Sequence, residues 1–168
     1  MNLGRPEALE ASYADLRVAV VTSRFNGEVT RALQQGAVEE LGRVGLGPDR
    51  VSVLEVPGAF ELAPTARRVA LSGQCDAVVC LGAVVRGGTD HYEYVCQAVT
   101  SGLTRLAQDA AVWGRNGVVI TFGVLTTATL QQALDRAGGR EGNKGAEAAR
   151  AALETAGLWA ALGPLPQR

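Results

Sequence analysis

The sequence predicts an α/β protein, a three-layer α/β/α sandwich built around a four-stranded parallel sheet. Two observations carry this reading. Apolar, β-branched runs start near residues 16, 51, 77 and 118. Each is followed by a Gly-, Pro- or Asn-containing break and then by apolar residues at helical spacing, a βαβ rhythm that implies right-handed crossovers. At 168 residues the chain is long enough to bury a core as a single domain, and its 47% hydrophobic and 20% charged residues are ordinary for a globular protein.

Residues 1–14 are polar and weakly patterned, and are expected to form an arm, either flexible or pairing with a neighbouring subunit. Residues 16–22 (LRVAVVT) read as a strand buried on both faces. Ser23-Arg24-Phe25-Asn26-Gly27 reads as a loop. A helix over 28–41 sets Val29, Ala32, Leu33, Ala37 and Leu41 on one face, and Gly42, Gly45 and Gly47-Pro48 stop it. Residues 51–56 (VSVLEV) form a second strand closed by Pro57-Gly58, followed by a helix over 61–72 that tolerates Pro64 in its first turn. A third strand over 77–84 leads through Arg86-Gly87-Gly88-Thr89-Asp90 into a long helix reaching about Trp113. Asn116-Gly117 turns into a fourth strand over 118–124. A short helix over 130–137 ends at Gly138-Gly139, residues 140–144 form a polar loop, and an alanine-rich helix covers 145–162. Pro164 and Pro166 mark a tail. The expected division is therefore an arm over 1–14, one domain over 15–163 and a tail over 164–168.

Bulk charge excludes several classes of function. Lys plus Arg total 16 against 17 for Asp plus Glu, so no basic stripe points to nucleic acid or to a membrane surface. No run has the uninterrupted apolar length of a membrane span, and the N-terminal residues are too acidic for a signal peptide. The three cysteines, Cys75, Cys80 and Cys96, form no CxxC pair and make a poor disulfide framework, which suggests a reduced cytoplasm. One histidine and scattered cysteines offer no metal-ligand set.

In a parallel α/β sheet, ligands bind beyond the carboxyl ends of the strands. The breaks at 23–27, 57–61, 85–90 and 122–127 are the loops expected there, and Phe25, Asn26, Phe60, Glu61, Arg86, Thr89 and His91 fall on that rim. The junction at 85–91 is a strand, a glycine pair and a helix start, whose free amides favour an anion. Glycine pairs also end strands for reasons of turn geometry, and the pattern is neither a dinucleotide nor a P-loop motif. The only histidine, His91, begins that helix. It is open to two readings: a residue that caps and packs, or a neutral imidazole, kept so by the positive helix end, that shuttles protons. Phe25 and Phe60 are either core residues or stacking surfaces for a flat ligand. Glu61 is either a dipole-favoured surface charge or an acceptor for ligand hydroxyls. Arg136 and Lys144, off the rim, read from the residues alone as helix-end and loop charges. The cysteines look structural, Cys80 acting as a small hydrophobe.

Several longer motifs occur in order: RFN (24–26), VPGAFEL (56–62), LGAVVRGGTDHYEYV (81–95), FGVLTT (122–127), QALDRAG (132–138) and GNKGAEAA (142–149). Through them the chain resembles the 6,7-dimethyl-8-ribityllumazine synthase family over residues 16–158. The resemblance implies a flavodoxin-like fold and a cofactor-free condensation of 5-amino-6-(D-ribitylamino)uracil with 3,4-dihydroxy-2-butanone 4-phosphate, the penultimate step of riboflavin biosynthesis. It implies that Phe25 stacks on the pyrimidine, and that Asn26, Gly58, Ala59, Phe60 and Glu61 hold the ribityl chain. Ala83, Val84 and Val85 would line the ring slot. Gly88, Thr89 and Arg136 would bind phosphate, His91 would transfer protons, and Phe122 and Lys144 would complete the pocket. In the family, Phe122, Arg136 and Lys144 come from the neighbouring subunit of a homopentamer. The short segment at 138–144 lacks the insertion of pentamer-only members and so points to an icosahedral shell of pentamers. A riboflavin synthase is the implied pathway partner. Three departures stand out: Ala63-Pro64 shifts a proline by one residue, Asp90 is expected to face away from the phosphate, and Ala128-Thr129 replaces an acidic helix start. Two other classes remain to be weighed: a ligand-binding shell protein without turnover, and a monomeric flavin-binding or signalling domain.

Overall fold

The computed structural model describes residues 13, 15–109, 112 and 117–163. The arm ahead of Tyr13, Trp113 and the tail with Pro164 and Pro166 lie outside the described residues.

A four-stranded parallel sheet runs in the order β2-β1-β3-β4, with β1 at Val18–Ser23, β2 at Val51–Val56, β3 at Ala77–Val85 and β4 at Val119–Thr127. β1 and β3 are central, so both their faces are covered and every residue of β1 is buried. Side chains alternate between two cores. Val18 and Val20 of β1 and Ala77, Val79 and Leu81 of β3 face α1 (Gly27–Arg43) and α5 (Lys144–Leu162). Ala19, Val21, Val78 and Cys80 face α2 (Leu62–Leu71) and α3 (His91–Ala107). The helices cover both faces, giving the expected α/β/α sandwich. β2 is an edge strand, and its residues from Ser52 to Glu55 are exposed.

The first strand begins at Val18 rather than at Leu16. The Leu16 amide donates to the Tyr13 carbonyl (3.0 Å) and the Arg17 amide to the Asp76 carboxylate (2.8 Å), so both are used before the ladder begins. The third helix ends at Ala107, where the Gln108 and Asp109 amides turn back to Arg105 and Leu106. The segment expected as a loop at 122–127 belongs to β4, because Gly82, Ala83, Val84 and Val85 of the longer β3 keep Val124, Leu125, Thr126 and Thr127 in register. The expected polar loop at 140–144 is in fact a small antiparallel hairpin, β5 (Ala137–Gly139) with β6 (Gly142–Asn143). Gly138 (φ 110°) and Gly142 (φ 77°) supply its left-handed positions. The short helix α4 (Leu130–Asp135) stops before it, and the buried Asp135 ties the hairpin down by pairing with Arg140 at 2.9 Å.

Thr129 replaces an acidic start without loss of a cap. Its hydroxyl accepts from the Gln132 amide (3.2 Å), and the Gln132 side chain accepts from the Ala128 amide (3.0 Å). Pro64 sits in the first turn of α2, where its missing N–H costs nothing.

Candidate functional site

The strand order reverses between β1 and β3. β1 leads outward to β2, and the chain then crosses back to β3, so a crevice opens at their carboxyl ends. Asn26 bridges that point. It caps α1 in a left-handed conformation (φ 56°, ψ 48°), the only described non-glycine residue with positive φ, and its Nδ2 donates to the Ala83 carbonyl at 2.9 Å. Beside it, the Arg24 amide donates to Val56 O (2.8 Å) and the Phe25 amide to Pro57 O (3.1 Å), which joins the loops after β1 and β2.

These anchored backbones hold two aromatic rings out in the open. Phe25 is 70% and Phe60 63% exposed, so neither is a core residue. Phe60 stands in a single 3₁₀ turn (Ala59–Glu61) held by the Glu61 carboxylate, which accepts from the Gly58 amide at 2.9 Å. That bond engages Oε2; Oε1 has no partner among the described residues. Ala59 is buried and packs into the α2–α3 core.

β3 ends on Ala83, Val84 and Val85, the last two half-buried, and the chain then enters an exposed segment, 86–91. Neither Gly87 nor Gly88 has positive φ, and a Cβ on either would meet nothing among the described residues within 4 Å. Turn geometry and packing within the chain therefore do not require glycine at either position. The side chains of Thr89 and His91 have no hydrogen-bond partner among the described residues, and His91 is the exposed first residue of α3. Asp90 is the exposed N-cap, with no side-chain cap bond. The helix start thus presents free amides beside an open glycine segment, a hydroxyl and an imidazole.

Phe122, Arg136 and Lys144 gather elsewhere. Phe122 pairs with Cys80 in mid-sheet on the β4 edge, not on the rim, and is 46% exposed. With Gly123, Glu147 and Ala151, these three line an open cleft between β4 and the start of α5. The Lys144 amide donates to Arg136 O (2.8 Å), holding the two cations in one cluster. Each also has a partner on its own chain, Gln132 O for Arg136 (3.1 Å) and the Glu147 carboxylate for Lys144 (2.8 Å). The cleft runs along β4 to Thr127, but none of Phe25, Asn26, Phe60, Glu61, Arg86, Thr89 and His91 lines it.

Sequence reading gave no partners to Arg86, Tyr92 and Glu93, which surround the glycine segment. The Arg86 guanidinium pairs with Glu93 at 2.6 Å and lies 4.5 Å from the Tyr92 ring centroid. Burial and a hydrogen bond with Cys96 push the Tyr92 phenol up, while a bond with Thr126 opposes them. The signal in the sequence was an arginine and a glutamate flanking a glycine pair. Burial pushes the Cys80 thiol up to about 12 and, mainly through burial, Cys75 up to about 11, which keeps both protonated and inert. Among the described residues no group of His, Cys, Asp and Glu could hold a metal ion, and no helix is long and apolar enough to cross a membrane.

A parallel α/β sandwich with a crevice at its strand reversal, flanked by exposed rings and an open helix start, defines the class: an α/β protein with a carboxyl-edge ligand site. Within that class the chain belongs to the 6,7-dimethyl-8-ribityllumazine synthase family, whose model matches residues 15–160. It is 47% identical over 153 residues to a protein of Anaeromyxobacter sp. (strain K) named 6,7-dimethyl-8-ribityllumazine synthase, covering 91% of each chain. Proteins of the same name from two strains of Anaeromyxobacter dehalogenans match at the same identity and coverage.

Proposed function

We propose that the chain condenses 5-amino-6-(D-ribitylamino)uracil with 3,4-dihydroxy-2-butanone 4-phosphate, releasing 6,7-dimethyl-8-ribityllumazine, phosphate and water. The observation that carries this reading is the pair Gly87 and Gly88. Nothing among the described residues requires glycine there, and they stand before a threonine and a histidine whose side chains have no partner among the described residues, at a helix start in a chain of this family. The reading gives their openness a cause, since a phosphate must approach that backbone closely.

In the mechanism, Phe25 stacks on the pyrimidine, and the ends of β3 at Ala83, Val84 and Val85 flank it with backbone groups. Asn26, Gly58, Ala59, Phe60 and Glu61 hold the ribityl chain, Glu61 through its carboxylate. Amides at Gly88 and the Thr89 hydroxyl take the phosphate, joined by the Arg136 guanidinium. His91 moves protons during imine formation, phosphate elimination and ring closure. Phe122 and Lys144 close the pocket.

Phe122, Arg136 and Lys144 are supplied by the neighbouring subunit of a homopentamer. Support comes from their position: they line a cleft along the β4 edge whose lining includes none of Phe25, Asn26, Phe60, Glu61, Thr89 and His91. The pentamers build an icosahedral shell, in keeping with the tight hairpin at 137–143, which holds no insertion. The protein works in the cytoplasm as one domain over 15–163, with a riboflavin synthase consuming its product.

Incubation with both substrates, following lumazine fluorescence and phosphate release, tests the reaction. Tight binding of a ribitylaminouracil with no phosphate released would leave a binding protein and end the enzyme reading.

A further inference from the structure

The segment 87–91 bears the phosphate and proton roles, yet it has little to hold it. Two of its residues have no side chain, and the side chains of Thr89 and His91 have no partner among the described residues. A free backbone of this kind samples many conformations, and only the fraction in the competent one binds. What anchors the segment lies at its two ends, and Arg86 takes part in both. Its amide donates to the Thr127 carbonyl at 2.9 Å, fastening the exit of β3 to the end of β4. Its guanidinium crosses the loop to Glu93 in the first turn of α3 (2.6 Å) and covers the Tyr92 ring (4.5 Å). Tyr92 bonds in turn to Thr126 on β4.

We propose that Arg86 is a positioning residue, acting through Glu93 and Tyr92 to lock residues 87–91 into a single arrangement between β3 and α3. The inference rests on the reading that Gly88, Thr89 and His91 serve the phosphate-bearing substrate. Arg86 and Glu93 are 53% and 51% exposed at the side chain, and a pair so open to water adds little to global stability. Its effect is therefore local, on the order of the loop.

The test uses full-length Arg86→Ala, Glu93→Ala and the double variant. Each single change raises KM for the butanone phosphate about tenfold, because the competent loop fraction falls. The double variant is no worse than the more affected single, the signature of one shared interaction. KM for the ribitylaminouracil stays within about twofold, and the thermal midpoint within about 3 °C. Hydrogen exchange at the amides of residues 87–91 is faster in all three variants. If Glu93→Ala matches the wild type while Arg86→Ala is impaired, the pair does not hold the loop and the positioning role through Glu93 is overturned. Unchanged exchange in both single variants overturns it as well. Exchange is read without substrate, so a wild type that releases no phosphate would sink the enzyme reading and leave this test standing.

Discussion

His91 stands exposed at the first position of α3, with no hydrogen-bond partner among the described residues, so its removal takes away no contact on which the fold depends. His91→Ala should lower kcat about 100-fold or more while the thermal midpoint and the binding of the ribitylaminouracil hold. A loss confined to KM would remove it from proton transfer. Gly88 offers a complementary check. An added Cβ meets no described atom within 4 Å and φ is not positive, so Gly88→Ala should fold with an unchanged midpoint. It should nevertheless raise KM for the phosphate substrate roughly 10- to 100-fold, as charge-assisted backbone bonds are blocked. His91 and the glycine pair were legible in the sequence because a sole histidine at a strand–glycine–helix junction is conspicuous. The conformation of Asn26 was not, since its left-handed turn is held by Ala83, 57 residues away.

Between elements, the α1–α5 seam decides where the second cation cluster sits. Asn143 caps α5 through Gly145 and Ala146, and its Nδ2 donates to Ala32 O at 2.9 Å. Gly145 lies so close to Leu33 that any Cβ would strike its carbonyl. Gly145→Ala should therefore cost about 2–3 kcal/mol in denaturant unfolding. The neighbouring Glu40 is 7% exposed and bonds to Arg43 (3.0 Å) and Arg150 (2.8 Å), which together hold its carboxyl down at about 2 against a usual 4.5. A lowered folded pKa means this contribution is fully present above pH 4.5 and is lost as pH falls toward 2. Because both arginines are more than half exposed, the loss is about 1–2 kcal/mol. Urea unfolding at pH 6 and pH 3 should show it in the wild type, and Glu40→Gln should lose less over the same interval. The helices were readable from their apolar spacing. The hairpin at 137–143 was not, because three-residue pairing carries no period, and its glycines resemble those of any loop.

Over the whole molecule, the rim side chains and those of the β4-edge cleft form two different sets, and the proposed site needs one of each. His91→Ala and Arg136→Ala oligomers should each be impaired alone. Co-assembled at equal amounts, they should regain about one quarter of wild-type sites, those pairing an intact rim with an intact edge. No regain in mixed oligomers, with mixing confirmed by mass, would place all the groups in one subunit. Light scattering reads the mass, and a monomer that turns over would overturn the intersubunit site.

Periodicity and turn chemistry were enough to set the strand and helix order, because each element's pattern is local, repeated every two or 3.6 residues. The same local reading picked out Phe25, Phe60 and His91 as rim residues, since they lie where strands end. It ended the fourth strand at Val124 and read 122–127 as a loop, where the ladder with β3 carries the strand on to Thr127. Strand length depends on how far the neighbour extends, and no window of sequence contains the neighbour. For the same reason only the tertiary structure could join Asn26 to Ala83 and set Arg136 and Lys144 beside Phe122 in one cleft. Those facts are made by contacts between segments distant in the chain, which packing brings together and sequence spacing does not record.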